Sequence, residues 1–349
     1  MSQAPARSGL TKSRWSMPKG LITVLLSTIA LYALSAYAAP SSVTMGPQLG
    51  MLPFAAVLAI VGLGQMLVVQ QGGIDLSVPG SVSLAIVIVS HQPNGDDSKL
   101  FGAVLTAFAY VIVAGILNGA LVGFLGLNPI IATLGSNALL FGAVLGVSGG
   151  IPRTTTKLLA SIAGGRTFGV PNSIWFALAI LALVTFILRK TAAGRRFEAI
   201  GASAPAARIT GLRVKTHTAL AYVWSQILFA TAGILLAGIT NQPTAFQGNS
   251  YLLPSVAVVV LGGTSLLGGK GLPSATFIAA IFLTQLDQFV LALGVPFAVR
   301  TLVQAGALGI GVAIYTIEWA AVRRRIKELL STAGASDAKD KASGLPASS

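Results

Sequence analysis

The feature that most limits this chain is a succession of apolar runs close to membrane-spanning length, separated by short polar stretches. A bilayer core about 30 Å thick takes roughly 20 apolar residues per helix, with about 17–25 tolerated. Ten stretches qualify: 21–39, 51–70, 74–90, 100–126, 129–148, 173–188, 219–240, 251–268, 271–293 and 297–319. The third and sixth are short, and the fourth is long enough to require tilt or a kink. Only 9% of the 349 residues are charged, too few to cover a water-soluble domain of this size. The 54% hydrophobic share excludes a disordered chain. The expected fold class is all-α: a polytopic integral membrane protein of about ten transmembrane helices, or eight or nine if 74–90 is re-entrant.

Charge placement supplies an orientation. With the N-terminus inside, 18 of the 23 Lys and Arg fall on inside segments, including seven between 189 and 217. Lys99, Arg153, Lys157, Arg166 and Arg300 are left outside. The positive-inside rule then makes both termini cytoplasmic. The net charge of +14 is read as this orientation signal rather than as a nucleic-acid surface. Residues 1–20 form a cytoplasmic segment, 21–319 the membrane domain and 320–349 a disordered cytoplasmic tail. Ala36-Tyr37-Ala38 after an apolar run imitates a signal-peptide cleavage site, but nine further spans favour an uncleaved first helix.

Three patterns imitate catalysis and fail. Gly146-Val147-Ser148-Gly149-Gly150 fits a serine-nucleophile elbow, yet the only histidines are His91 and His217, both in expected loops. Small residues at a helix end account for it. Gly269-Lys270 resembles the end of a phosphate-binding loop, but Thr264 and Gly271 stand at its two defining positions. Two histidines, nine acids and no cysteine make no metal cluster. No catalytic residue, metal or bound cofactor is expected.

Two segments carry more information. In Gly72-Gly73-Ile74-Asp75-Leu76-Ser77-Val78-Pro79-Gly80, glycines, an acid and Pro-Gly separate two apolar runs without a polar loop. Broken backbone at membrane depth survives only when buried in protein or lining water. Either this is a re-entrant turn on a pathway, or an ordinary interfacial turn; in both, Asp75 and Ser77 cap the following helix. The inside stretch 189–217 holds a short helix started by Pro205 near Ser203 or Ala204 and stopped by Gly211. An apolar face at Ala206, Ala207 and Ile209 suits docking in a soluble partner's groove.

Four stretches in order give a resemblance: Gly73-Ile74-Asp75-Leu76-Ser77-Val78, Pro129-Ile130-Ile131-Ala132-Thr133-Leu134-Gly135, Ala199-Ile200-Gly201 with Ala206-Ala207-Arg208 and Gly211, and Val259 through Gly271. The chain resembles the permease subunits of bacterial ABC sugar importers, the ribose, xylose, arabinose and galactoside permease family. Pro79, where a glycine is usual, and Ala202, where asparagine is frequent, depart from the pattern. The resemblance implies two permease chains (a homodimer or heterodimer), cytoplasmic ABC ATPase subunits using ATP and Mg, a periplasmic sugar-binding protein, and residence in the bacterial inner membrane among its lipids. It makes 189–217 the coupling element, with Gly194, Arg195, Glu198, Gly201, Ala206, Ala207, Arg208 and Gly211 as the residues facing the ATPase.

Ionisable and amide groups within spans complete the candidates. Asp287 and Arg300 flank the short loop at Gly294-Val295-Pro296 and are expected to pair, fixing that hairpin. Asn118 and Asn137 are either interhelical glue or readers of substrate hydroxyls, so Asp75, Ser77, Asn118 and Asn137 are the pathway candidates. The expected function is import of a monosaccharide or related polyol, with nucleosides or branched-chain amino acids as the alternative on the same machinery. An ion-coupled carrier is the rival class; it needs carboxylates near the midplane, whereas Asp75 and Asp287 are expected nearer the interfaces.

Overall fold

The computed structural model describes residues 19–296 together with 298, 299, 302, 303, 305, 306 and 309. Most of the tenth expected span, the tail 320–349 and most of segment 1–20 lie outside the described residues. Twelve α-helices occur in order among the described residues: α1 Lys19–Ala38, α2 Met45–Gln70, α3 Val78–His91, α4 Leu100–Gly119, α5 Pro129–Ser148, α6 Lys157–Gly164, α7 Asn172–Lys190, α8 Ala192–Ala202, α9 Ala204–Ile209, α10 Val214–Thr240, α11 Leu252–Leu261 and α12 Pro273–Ala292. Seven helical stretches, those of α1, α2, α4, α5, α7, α10 and α12, are long and apolar enough to cross a membrane. The third and eighth expected spans are instead half-length. The former is the 14-residue α3, and the latter is a 3-10 turn, Gln247–Tyr251, running into the 10-residue α11.

Hydrophobic distribution decides which helices are central. α2 and α3 are apolar all round and almost wholly buried, as a helix without a wet or lipid-facing side must be. α1, α4, α5 and α7 instead turn Leu26, Ile29, Tyr110, Leu139 and Phe186 outward, where only lipid would accept them. The kink expected of the fourth span is a π-helical turn at Ala120–Phe124. Gly149, in the left-handed conformation at φ +59°, ends α5, and Ser148 Oγ donates to Val144 O at 2.6 Å. The glycines of this false elbow therefore terminate a helix, and nothing packs within 4 Å of Gly146 or Gly149.

The described helices fall into two runs of like order and opposite direction. The 26-residue α2 is followed by a break and the half-length α3; the 27-residue α10 is followed by a break and the half-length turn–α11 unit. α2 packs on α12 as α10 packs on α4, and α3 packs on α10 as α11 packs on α2. α2 enters its break at the basic face that carries α8, α9 and Lys270, whereas α10 enters its break at the opposite face. The two breaks meet where Gly248 packs against Pro79 O at the end of the first, and Gly248 N–H donates to Ser83 Oγ of α3 at 3.1 Å. Discontinuous helices entering from opposite sides are a mark of transport proteins.

Candidate functional site

The first break begins where α2 ends. Gly72 takes φ +77°, which reverses the chain and which few other residues adopt without strain. Gly73 lies against the Tyr222 hydroxyl and Val68 with no room for a side chain. Asp75 then sits fully buried at the hub of a polar cluster. Its Oδ1 accepts from Ser77 N–H at 2.9 Å and Ser77 Oγ at 2.5 Å, and its Oδ2 from Gln226 Nε2 at 3.1 Å. Ser225 Oγ lies 3.3 Å from Oδ2 and 2.8 Å from Tyr222 O, so one proton serves both. Ser77 Oγ also accepts from Gln226 Nε2 at 2.7 Å and Asn118 Nδ2 at 3.1 Å, while Ser136 Oγ donates to Asn118 Oδ1 at 2.5 Å. Ser81 Oγ bonds Gln226 Oε1. With its amide turned to satisfy both groups, Gln65 of α2 bonds the N–H and C=O of Asp75, each at 3.2 Å.

Three of the four pathway candidates thus meet one another, and the fourth stands alongside. Asn137 Oδ1 accepts from Gly80 N–H at 2.8 Å, capping α3 from α5. This corrects the cap expected from Ser77, whose hydroxyl makes no capping bond to α3; Asp75 instead fixes the Asx-type turn that leads into it. Thr133 Oγ1 accepts from Leu76 N–H at 2.9 Å and adds a further tie to α5. Both Asn118 and Asn137 therefore make interhelical bonds. Gln226 lies seven residues beyond 219, so the cluster is about 10 Å inside the expected span. Asp75 is accordingly deeper than an interfacial acid. The signal missed in the sequence was the polar pair Ser225-Gln226 in mid-span, with Gln65 in another apolar run.

On the basic face, α8 folds back against α7 because Thr191 caps it, accepting from Gly194 N–H at 3.1 Å, and Gly194 presses on the carbonyls of Ile187 and Leu188. Gly201 is not exposed for a partner: a Cβ there would overlap Gln70 O, which also accepts from Gly269 N–H at 3.0 Å. Glu198 is likewise engaged within the chain, 3.5 Å from Arg189 Nη1, and Arg189 Nη2 donates to Gly271 O at 3.2 Å. The eighth span therefore ends at Leu261, and the segment 262–272 is a seat for the end of α2 and for α8. α9 forms as expected, with Ser203 accepting from Ala206 N–H at 3.4 Å and Gly211 at φ +80° beyond it. Its apolar residues divide: Ala207 is buried, whereas Ala206 and Ile209 face outward, with Ile209 88% exposed. Arg195 and Arg208 are exposed beside them.

At the opposite face a cavity of about 790 Å³ opens between the start of α2, the Gln247–Tyr251 turn with α11, and α12. Asp287 lines it; Arg300, its expected partner, lies outside the described residues. The pathway candidates Asp75, Ser77, Asn118 and Asn137 are not among its lining residues.

Residues 48–313 match a family model described as "Branched-chain amino acid transport system / permease component". The chain belongs to this permease family. A probable ABC transporter permease of Sinorhizobium fredii is 33% identical over 84% of this chain and 90% of its own length. A fructose import permease of Bifidobacterium longum is 31% identical over 80% of this chain and 81% of its own. A ribose import permease of Escherichia coli is 32% identical over 80% of this chain and 89% of its own. No solved structure matches the chain. The permease is a polytopic membrane protein of the ABC importers, and the stretches that carried the resemblance fall in the first break, the start of α5, α8–α9 and the segment after α11.

Proposed function

We propose that the permease passes a monosaccharide or related polyol into the cytoplasm, driven by ATP and Mg used by a partner ATPase and supplied by a periplasmic binding protein. In this reading it works as a pair of permease chains in the bacterial inner membrane, with the basic face and both termini cytoplasmic. It has no ATPase site of its own. Fructose and ribose permeases among its relatives support the sugar class. The observation that carries the coupling is α8–α9: its inner side is clamped to the ends of α2 and α7 and to Gly271, while Ala206 and Ile209 face outward on the basic side. A surface held this rigidly to two membrane helices passes a push from a docked subunit directly into them.

The experiment compares Ile209→Glu with Arg196→Ala, an exposed charge outside the coupling set, in the reconstituted importer. Docking buries an isoleucine worth about 1.5–3 kcal/mol, so Ile209→Glu should cut ATPase co-purification and sugar uptake by at least about tenfold. The thermal midpoint of the isolated permease should stay unchanged, and Arg196→Ala should have a small effect. Equal tolerance of both substitutions would leave α9 as a positive-inside anchor and remove the coupling assignment.

A further inference from the structure

The cavity on the face opposite α8–α9 has chemistry that the coupling reading does not use. Its volume of about 790 Å³ falls within the roughly 300–1,000 Å³ of small-molecule sites. Its walls are held from behind: Gln48 Nε2 donates to Gln285 Oε1 at 2.7 Å and Tyr32 Oη to Gln48 Oε1 at 3.0 Å, while Gln285 Nε2 donates to Ser35 Oγ at 3.2 Å. That chain ties α1, α2 and α12 together beside the cavity. The cavity is thus bounded by helices fixed relative to one another, a condition for a preorganised site.

The lining pairs amides with aromatic surface. Asn249 and Gln288 offer donors and acceptors, and Phe54 and Tyr251 ring faces. Tyr251 is only 8% exposed, yet its hydroxyl has no hydrogen-bond partner among the described residues. A buried phenol normally finds a partner, and here the cavity is what it borders. A polyol presents hydroxyls that both donate and accept, together with C–H faces that pack on rings. Among the described lining residues there is no Lys, Arg or His to hold a phosphate or the carboxylate of an amino acid. The turn that carries Asn249 and Tyr251 also touches α3 through Gly248, so one wall of the cavity continues into the crossing of the two breaks.

We propose that this cavity is a reception site for a neutral polyhydroxylated molecule, with Tyr251, Asn249 and Gln288 binding its hydroxyls and Phe54 its apolar face. The assignment rests on the sugar-import reading and narrows it, since it separates neutral polyols from amino acids and sugar phosphates.

The chain contains no cysteine, so Ser250→Cys places a single thiol at the rim. The permease with its partners, in vesicles, is labelled by a membrane-impermeant maleimide in the presence of D-ribose, D-fructose, L-leucine or ribose 5-phosphate. Ribose or fructose should slow labelling at least threefold, and the other two should not. Losing one hydrogen bond, Tyr251→Phe should raise the half-protecting concentration about fivefold while keeping the ring. Gln288→Ala serves as a second variant with the same expected direction. Labelling indifferent to all four probes overturns the site, even where sugar uptake shows that the functional reading stands. Protection by leucine or ribose 5-phosphate overturns the neutral-polyol class, and leucine uptake in place of sugar uptake would overturn the functional reading itself.

Discussion

The two breaks share an architecture and differ in how their polar groups are satisfied. Each follows a long helix, 26 and 27 residues, and precedes a half-length one. In the first, Asp75 is closed in by donors from its own turn and from α10, and no part of it is exposed. In the second, Tyr251 and Asn249 border open volume. A polar side chain in a membrane protein is therefore not evidence of a pathway by itself. What distinguishes the two is where the unmet groups lie: the Asp75 carboxylate is fully bonded and the unpartnered Tyr222 hydroxyl beside Gly73 is sealed in, whereas Tyr251 borders open volume that a ligand can fill.

The largest expected effect tests the closed break. Asp75→Leu removes three hydrogen bonds and a shared fourth. Interhelical bonds in membranes average about 0.6 kcal/mol, and unpaired buried donors add to that, so the loss should be roughly 2–4 kcal/mol. Yield of folded permease and its thermal midpoint in detergent should both fall sharply. Asp75→Asn, which keeps the volume but turns one acceptor into a donor, should lie in between. A variant that folds with normal stability and loses only uptake would make the first break a pathway and erase the contrast.

Next comes the point where the breaks touch. A Cβ on Gly248 would strike Pro79 O and come within 2.7 Å of Ser83 Oγ. Gly248→Ala should therefore cost about 1–3 kcal/mol by overpacking. It should also shift the cavity wall, raising the sugar concentration for half-maximal uptake. Gly102→Ala is the control, because nothing lies within 4 Å of that glycine. Equal tolerance of both would mean that the crossing is loose. A smaller effect, about 1 kcal/mol, is expected of Asn137→Ala, which strips α3 of a cap supplied from α5. The thermal midpoint is the measurement, and uptake per folded molecule should be unchanged.

Much of this was legible before the structure. The membrane class and the break at Gly72–Gly80 follow from hydropathy and from glycine placement, and α9 from Ser203, Pro205 and Gly211, whereas the half-length of the third and eighth expected spans does not show in hydropathy alone. The pairing of two inverted halves was not, because it appears in helix lengths and packing rather than in a repeated motif. The roles of Gly201 and Glu198 were missed for a related reason. A small residue and a lone acid on a basic loop suit an external partner as well as an internal one. The position of Gln70, far away in sequence, decides it for Gly201, and the fold-back of α8 that brings Glu198 to Arg189 decides it for the acid. The cavity escaped notice because Asn249 and Tyr251 stood in what read as an ordinary loop and span end.

The smallest effect sets a second carboxylate against Asp75. Glu198 lies 3.5 Å from Arg189, but their side chains are 22% and 39% exposed. Solvent screens such a pair, and exposed ion pairs are worth about 0.2–1 kcal/mol, the lower part of that range applying here. Glu198→Gln should thus change stability by a few tenths of a kcal/mol, less still at high salt. Arg189→Ala should cost more, because it also abandons the bond to Gly271 O at 3.2 Å that holds α7 to the start of α12. In a double-mutant cycle the coupling energy should be smaller than the Arg189→Ala effect itself. Coupling as large as the Asp75 loss would show that a half-open carboxylate matters as much as a sealed one. The difference between the two breaks would then have to rest on something other than completed hydrogen bonding.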